Sequence, residues 1–307
     1  MFHTKRNNFT SNVLLILLLS VFDMDTCFAQ DYLLKVLQSE SPLAREKVIA
    51  TFKGNKIINI ETNETVRKNN LDIRISHLFG NIGSESGGGI HNLYGIDQSA
   101  DIRIGFHYGI TDKLMIGVSR VKRNENFEGL VKYRLLEQTT ENQIPFALTF
   151  FGNTTYSIKS SELILKDIYR LTYFVQAIFA RKFSPNISLV LTPGIVHRNF
   201  VEAGDENTTY SLSGGFRCKF TRSTSVVADY SHTFGRNEVS TEYYDVLGLG
   251  VEIETGGHVF SITFTNASGL LENDYLIHTT DSWAKGGMKF SFIISRMFKL
   301  GKAENIK

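Results

Sequence analysis

The 307-residue chain has little cysteine, little proline, no excess of one charge and no long apolar run, and each shortage excludes a class. Two cysteines, Cys27 and Cys218, cannot make a disulfide scaffold. Four prolines rule out collagen-like and proline-rich disordered chains. Thirty-three Lys and Arg against 31 Asp and Glu leave a net charge of +2, and neither a basic stripe nor a recognised motif points to nucleic acid. Hydrophobic residues at 42% are enough for an ordered protein, but a mean hydropathy of −0.09 is too low for a bundle of membrane helices. A membrane β-barrel survives these exclusions, because half of each of its strands is polar.

The main apolar run, Val13 to Phe22 (VLLILLLSVF), follows Lys5 and Arg6. A spanning helix needs about 20 apolar residues, so this run reads as the core of a secretory signal peptide. Cys27 and Ala29 form a small-residue site, and cleavage before Gln30 makes 1–29 the signal. A lipidated Cys27 is the competing reading, although Met24, Asp25 and Thr26 do not resemble a lipoprotein site. Cleavage leaves Cys218 without a partner, so stability must come from backbone pairing and packing.

From about Leu71 onward, apolar and polar residues alternate with period two. In LDIRISHLF, Leu71, Ile73, Ile75, His77 and Phe79 oppose Asp72, Arg74 and Ser76. The pattern returns from Asp101, Leu114, Gly129 and Pro145, then over Tyr169 to Phe183, Ile187 to His197, Thr208 to Phe220, Val226 to Phe234, Tyr243 to Ile253, His258 to Asn266 and Met288 to Phe298. Short turns (GITDK, FSPN, FTRST, ETGG) mostly alternate with longer polar loops, the pattern of an up-and-down transmembrane barrel. The expected fold is therefore all-β: an antiparallel barrel of about twelve strands over 67–307. The segment 30–66 is expected to stay at the periplasmic side or enter the lumen as a plug, with a short helix around Tyr32 to Gln38. If Lys47 to Glu61 adds a strand instead and one more is missed elsewhere, the count is about fourteen. No useful helical period appears after Gln38.

Alternation alone does not say which face meets lipid. Phe79, Tyr108, Phe183, Phe220, Phe234, Tyr243 and Phe298 at strand ends suit aromatic girdles, and mid-strand charge and glycine suit a polar lumen. The last of these aromatics departs from the terminal Phe of many outer-membrane barrels, since it stands nine residues before the C-terminus.

The stretches ATFKGNKIIN (Ala50 to Asn59), LDIRISHLFG (Leu71 to Gly80), LYGIDQSADIRIGFHYGITDKLMIGVSR (Leu93 to Arg120) and LVKYRLLEQ (Leu130 to Gln138) resemble an uncharacterised family of Bacteroidota β-barrel proteins. The resemblance is most specific over Leu43 to Phe151. It implies a Gram-negative outer membrane and brings no catalytic or binding residues with it.

The polar faces place Arg74, Arg103, Lys132, Arg134, Arg170, Arg217 and Lys219 in the lumen against Asp72, Asp101, Asp229 and Glu252. Two readings follow: a weakly anion-preferring pore for a small anionic solute, or a closed lumen whose charges pair off. The histidines, from His77 to His278, form no H-x-H or H-x-x-x-H pair and suggest no metal site. The glycine-rich Gly83 to Asp97 lacks phosphate-loop spacing and reads as a surface loop, so no cofactor is expected. Ser76 with His77, and Ser231 with His232, point to opposite faces as strand neighbours and cannot act together. The function expected is a passive channel or small-solute transporter in outer-membrane lipid. The alternatives are a closed docking barrel that presents Tyr275 and Trp283 to an envelope protein partner, and an outer-membrane enzyme.

Overall fold

Period-two alternation becomes strand over most of each segment that carries it. The computed structural model describes residues 46–162, 166–201, 204–236, 241–255 and 258–300. The expected signal peptide and the expected helix near Tyr32 lie outside them. Among the described residues twelve strands run in order: β1 (Asn70–Asn81), β2 (Ser99–Gly109), β3 (Leu114–Val121), β4 (Asn126–Leu136), β5 (Ala147–Ser157), β6 (Leu171–Lys182), β7 (Ile187–Arg198), β8 (Thr208–Lys219), β9 (Thr224–Phe234), β10 (Val246–Thr255), β11 (His258–Thr265) and β12 (Lys289–Lys299). Each pairs antiparallel with its sequence neighbours, and β12 pairs with β1 to close the barrel, with Leu71 opposite Phe298. Closure leaves no sheet edge, the condition for a β-structure to span a bilayer.

Three of the short turns share one device. Thr111, Ser184 and Thr221 each accept, at the side-chain oxygen, hydrogen bonds from the backbone N–H groups two and three residues ahead. The residue before each donates its N–H to the first residue of the next strand, as in Ile110 to Leu114, Phe183 to Ile187 and Phe220 to Thr224. A hydroxyl thus supplies an acceptor that the turn backbone lacks. The same rule joins three hairpins of otherwise different sequence.

The apolar faces point outward. In β7, Ile187, Leu189, Leu191, Pro193 and Ile195 are exposed while Ser188, Val190, Thr192, Gly194 and Val196 are buried. Exposed Ile104, Phe106, Ile116, Val118, Val175, Leu249 and Ile262 continue the belt on other strands. Each such side chain is stabilised by about 1.5–3 kcal/mol when lipid replaces water. Tyr108, Phe183, Phe220 and Phe298 ring the short-turn end, and Phe79 and Phe234 stand at the long-loop end.

Three expectations are corrected. Tyr243 is not a girdle residue: β10 starts at Val246, and Tyr243 sits in the loop before it. Arg170 is not in a strand, because Asp167–Arg170 forms a 3-10 turn at the rim before β6. A helix, α1 (Glu272–His278), interrupts the long loop between β11 and β12. Two turns are too short to show a period, and the buried face of α1 is supplied by the barrel interior. The lipid-facing belt predicts that Val118→Arg, near the middle of β3, costs about 2–4 kcal/mol of stability in bilayers. Urea titration of folding into vesicles measures it, with the water-soluble unfolded chain as reference.

Candidate functional site

The segment 47–66 enters the barrel from the short-turn end as a hairpin. Val48 donates its N–H to the Gln138 carbonyl at the mouth (2.8 Å). Further in, Lys56 bridges to Glu61, Ile57 N–H bonds to the Ile60 carbonyl (3.0 Å) and Thr62 N–H to that of Asn55 (2.8 Å). The tip, Ile58 to Ile60, is the deepest part. Its three successive N–H groups converge on one Asp229 oxygen at 3.3, 2.5 and 3.1 Å, while Asn59 Nδ2 donates to the other at 2.8 Å. A turn whose amides face inward makes a cradle for an anion, and here the barrel wall supplies that anion.

Lys132 of β4 is the second attachment. Its ammonium is wholly buried and donates to Glu61 Oε2 (2.6 Å) and to the carbonyls of Asn55 (2.9 Å) and Thr62 (3.1 Å), all in the hairpin. Burial alone would raise the Glu61 carboxyl, but Lys132, Lys56, Arg103 and Arg74 hold it down at about 2. Its ion pair therefore persists through the ordinary carboxylate range and is lost only as pH falls toward 2. On the apolar side, Ile57 and Ile60 lie against Gly215, where an added Cβ would stand 2.6 and 2.7 Å from their Cδ1 atoms.

From the long-loop end α1 meets the hairpin. Tyr275 OH donates to the Asn59 carbonyl (3.0 Å), and Lys56 reaches Glu272 (2.6 Å) and the Leu270 carbonyl (3.2 Å). Glu272 continues through Asn153 to Glu128, which pairs with Arg103 at 2.5 Å. Tyr275 is 1% exposed and so turns inward, not outward to a partner, and Trp283 donates to the Leu247 carbonyl (3.0 Å).

The other lumen residues read from the sequence are placed as follows. Asp72, Arg74, Asp101, Arg217, Asp229 and Glu252 are buried inside the barrel, as are Arg103 and Lys132. Arg217 pairs with Glu252 (3.0 Å) and Arg74 with Asp72 (3.5 Å). Arg134 reaches Glu64 of the hairpin (3.4 Å) and Glu137 (3.5 Å), whereas Arg170 at the rim is 3.8 Å from Asp167. Asp101 accepts from the N–H groups of Arg123 (2.8 Å) and Leu270 (3.0 Å) and so ties two loops down. Lys219 is only half-buried. Sequence reading missed Lys56, Asn59, Glu61, Glu128 and Glu272. Only Glu128 was accessible to it, on the same inward face of β4 as Lys132 and one inward position beyond Leu130. Among the described residues no group of three His, Cys, Asp or Glu is placed to hold a metal.

These features define a transmembrane β-barrel whose lumen is filled by its own N-terminal hairpin and an inward helix. The chain belongs to the family of the membrane bound beta barrel domain (DUF5777), whose model matches residues 52–298 and so takes in most of the hairpin as well as the strands. No curated protein matches it. Among solved structures it is similar to the NanC porin (9% identity, TM-score 0.48, covering 75% of this chain and 100% of that one). It is also similar to the KdgM porin (9%, 0.43, 75% and 98%) and to an outer membrane channel from Pseudomonas putida F1 (12%, 0.46, 77% and 98%). These are distant likenesses of barrel form.

Lys132→Met leaves Glu61 buried without its cation, a loss of about 3–5 kcal/mol in hairpin docking. A cysteine placed at Ile58 in a Cys218→Ser background should then react with maleimide far faster than in the parent barrel. At the other end, burial raises the Asp274 carboxyl of α1 to about 7, with Arg123 opposing and Asp101 adding to the rise. The folded loop holds that proton more tightly than a released loop, so docking weakens as pH rises from the ordinary carboxyl range through about 7, by on the order of 4 kcal/mol. Proteolysis of the 267–287 loop should rise between pH 5 and pH 8, and Asp274→Asn should flatten the dependence.

Proposed function

We propose that this chain is an outer-membrane channel or transporter for a small polar solute, held closed by its own hairpin. The observation that carries the reading is how the hairpin is held: Lys132, Arg134 and Asp229 of the wall meet it through ion pairs and charged hydrogen bonds. Buried ion pairs are poor sources of net stability compared with apolar packing, and on release both partners regain hydration. A wall of this kind can be wetted when the hairpin leaves. Departure would also strip Lys132 of its carboxylate and Arg134 of Glu64, and would leave Asp229 and Glu272 without their hairpin partners, so the uncovered bore carries fixed charges of both signs. The apolar belt, the two aromatic girdles and the closed hydrogen-bonded wall support an outer-membrane setting, with lipid as the constant partner.

A second reading, a permanently closed barrel that docks an envelope partner, is favoured by the packing of Ile57 and Ile60 against Gly215. Planar-bilayer recordings separate the two. The intact protein should be mostly silent, and a variant lacking residues 47–66 should show discrete steps whose ion selectivity shifts toward cations in Lys132→Gln and Arg134→Gln. A hairpin-less barrel that retains heat-modifiable gel mobility yet never conducts overturns the transport reading.

A further inference from the structure

The lipid-facing wall carries a trough of about 760 Å³ that crosses its outer surface from β4 to β9. The outward positions Gly152, Ala177 and Pro193 are small and form its floor, and Phe150 and Tyr210 stand beside them. Among the described residues that line it, none is charged. We propose that this trough holds one acyl chain of a membrane lipid from the leaflet on the long-loop side, as a resident and not as passing solvent.

Three observations select that occupant. The first is length and place. The lining starts at Val131 and Tyr133, midway along β4, and ends at Phe234, the last residue of β9 and part of the long-loop girdle. Six adjacent strands about 4.8 Å apart make the trough roughly 24 Å long. Strands tilted by about 40° incline a path across them by about 50° from the membrane normal, so the trough descends about 15 Å. That is half of a hydrocarbon core of about 30 Å, the depth of one leaflet.

The second is what stands at the upper end. The His232 ring meets Phe234 edge-on at 4.5 Å, and Asp245 beside it accepts from Tyr230 and Arg236 and pairs with His232. A chain that enters the trough here keeps its polar head among hydrogen-bonding groups at the rim. The third is the floor itself. An added Cβ at Gly152 would stand 3.5 Å from Phe174 O and Val175 Cγ1, an ordinary contact, so no protein atom claims the space above this glycine. Glycine inside a strand often marks the close approach of a ligand, and on this side the approach is from the membrane. A second barrel fits less well, because its convex wall would rest on the sides of the trough and leave the floor empty, against the close packing of stable interfaces. The site is independent of whether the bore conducts.

Photolabelling tests it in the full-length barrel, refolded into phosphatidylcholine vesicles that include a phosphatidylcholine with a diazirine midway along one chain. Labels should concentrate on β5 to β8, in the half nearest the long loops. Ala177→Phe and Gly152→Leu each fill the floor from the outer face and should cut the excess of labelling over the opposite wall about tenfold. Ile262→Phe, on that opposite wall, should leave the excess unchanged. Heat-modifiable gel mobility shows which variants are folded, and the distribution on the parent decides by itself if neither is. Labelling spread evenly around the wall, the pattern of annular lipid only, overturns the site. So do folded filled variants that label as the parent does, or loss of the excess when barrels dimerise, which gives the trough to a second copy.

Discussion

The Lys132 ammonium is fully enclosed by protein, and the groups that satisfy it belong to the hairpin. An uncompensated buried cation costs several kcal/mol, so the wall of β4 is tolerable only with the hairpin in place or with water in its stead. Asp229 on β9 imposes the same choice from the opposite sign, since the hydrogen bonds that replace its hydration come from three backbone N–H groups of the hairpin tip. The interior therefore has two self-consistent conditions, filled by hairpin or filled by solvent, and a dry empty lumen is not among them.

The second layer of closure is coupled to the first. Lys56 and Asn59 of the hairpin are partners of Glu272 and Tyr275 of α1. Loss of the hairpin thus strands the helix at the other mouth, and movement of the helix removes two contacts from the hairpin tip. Displacement of α1 at one mouth and displacement of the hairpin at the other therefore break the same set of bonds.

The wall was legible in the sequence because most of its strands keep a two-residue period. Strands β6 and β7 also turn Phe174, Ile178, Val190 and Val196 inward, yet the charged residues assigned to the lumen from β1, β2, β4, β9 and β10 do face it. Lumen filling was not legible for a physical reason. The hairpin has no repeating period, and Asn59 and Glu61 gain meaning only from Asp229 and Lys132, far away in sequence. Gly215 and Gly248 held a clue, since glycine inside a strand often marks close approach of another segment, and both stand where the hairpin tip leaves no room for a Cβ. Helix α1 escaped because its seven residues are sorted by what surrounds them on every side, not by one apolar stripe. Arg170 was misassigned because a rim turn and a strand start look alike when polar and apolar residues happen to alternate.

The seam between β1 and β12 joins the two ends of the barrel sequence, and the hairpin leads into β1 with only a short turn between them. Asn69 accepts from Leu300 at that seam and donates to Gly109 beside it. The occupant of the lumen is thus leashed to the seam by residues 67–69 alone. A hairpin that leaves the bore stays beside its mouth, so its return is an intramolecular event at high effective concentration.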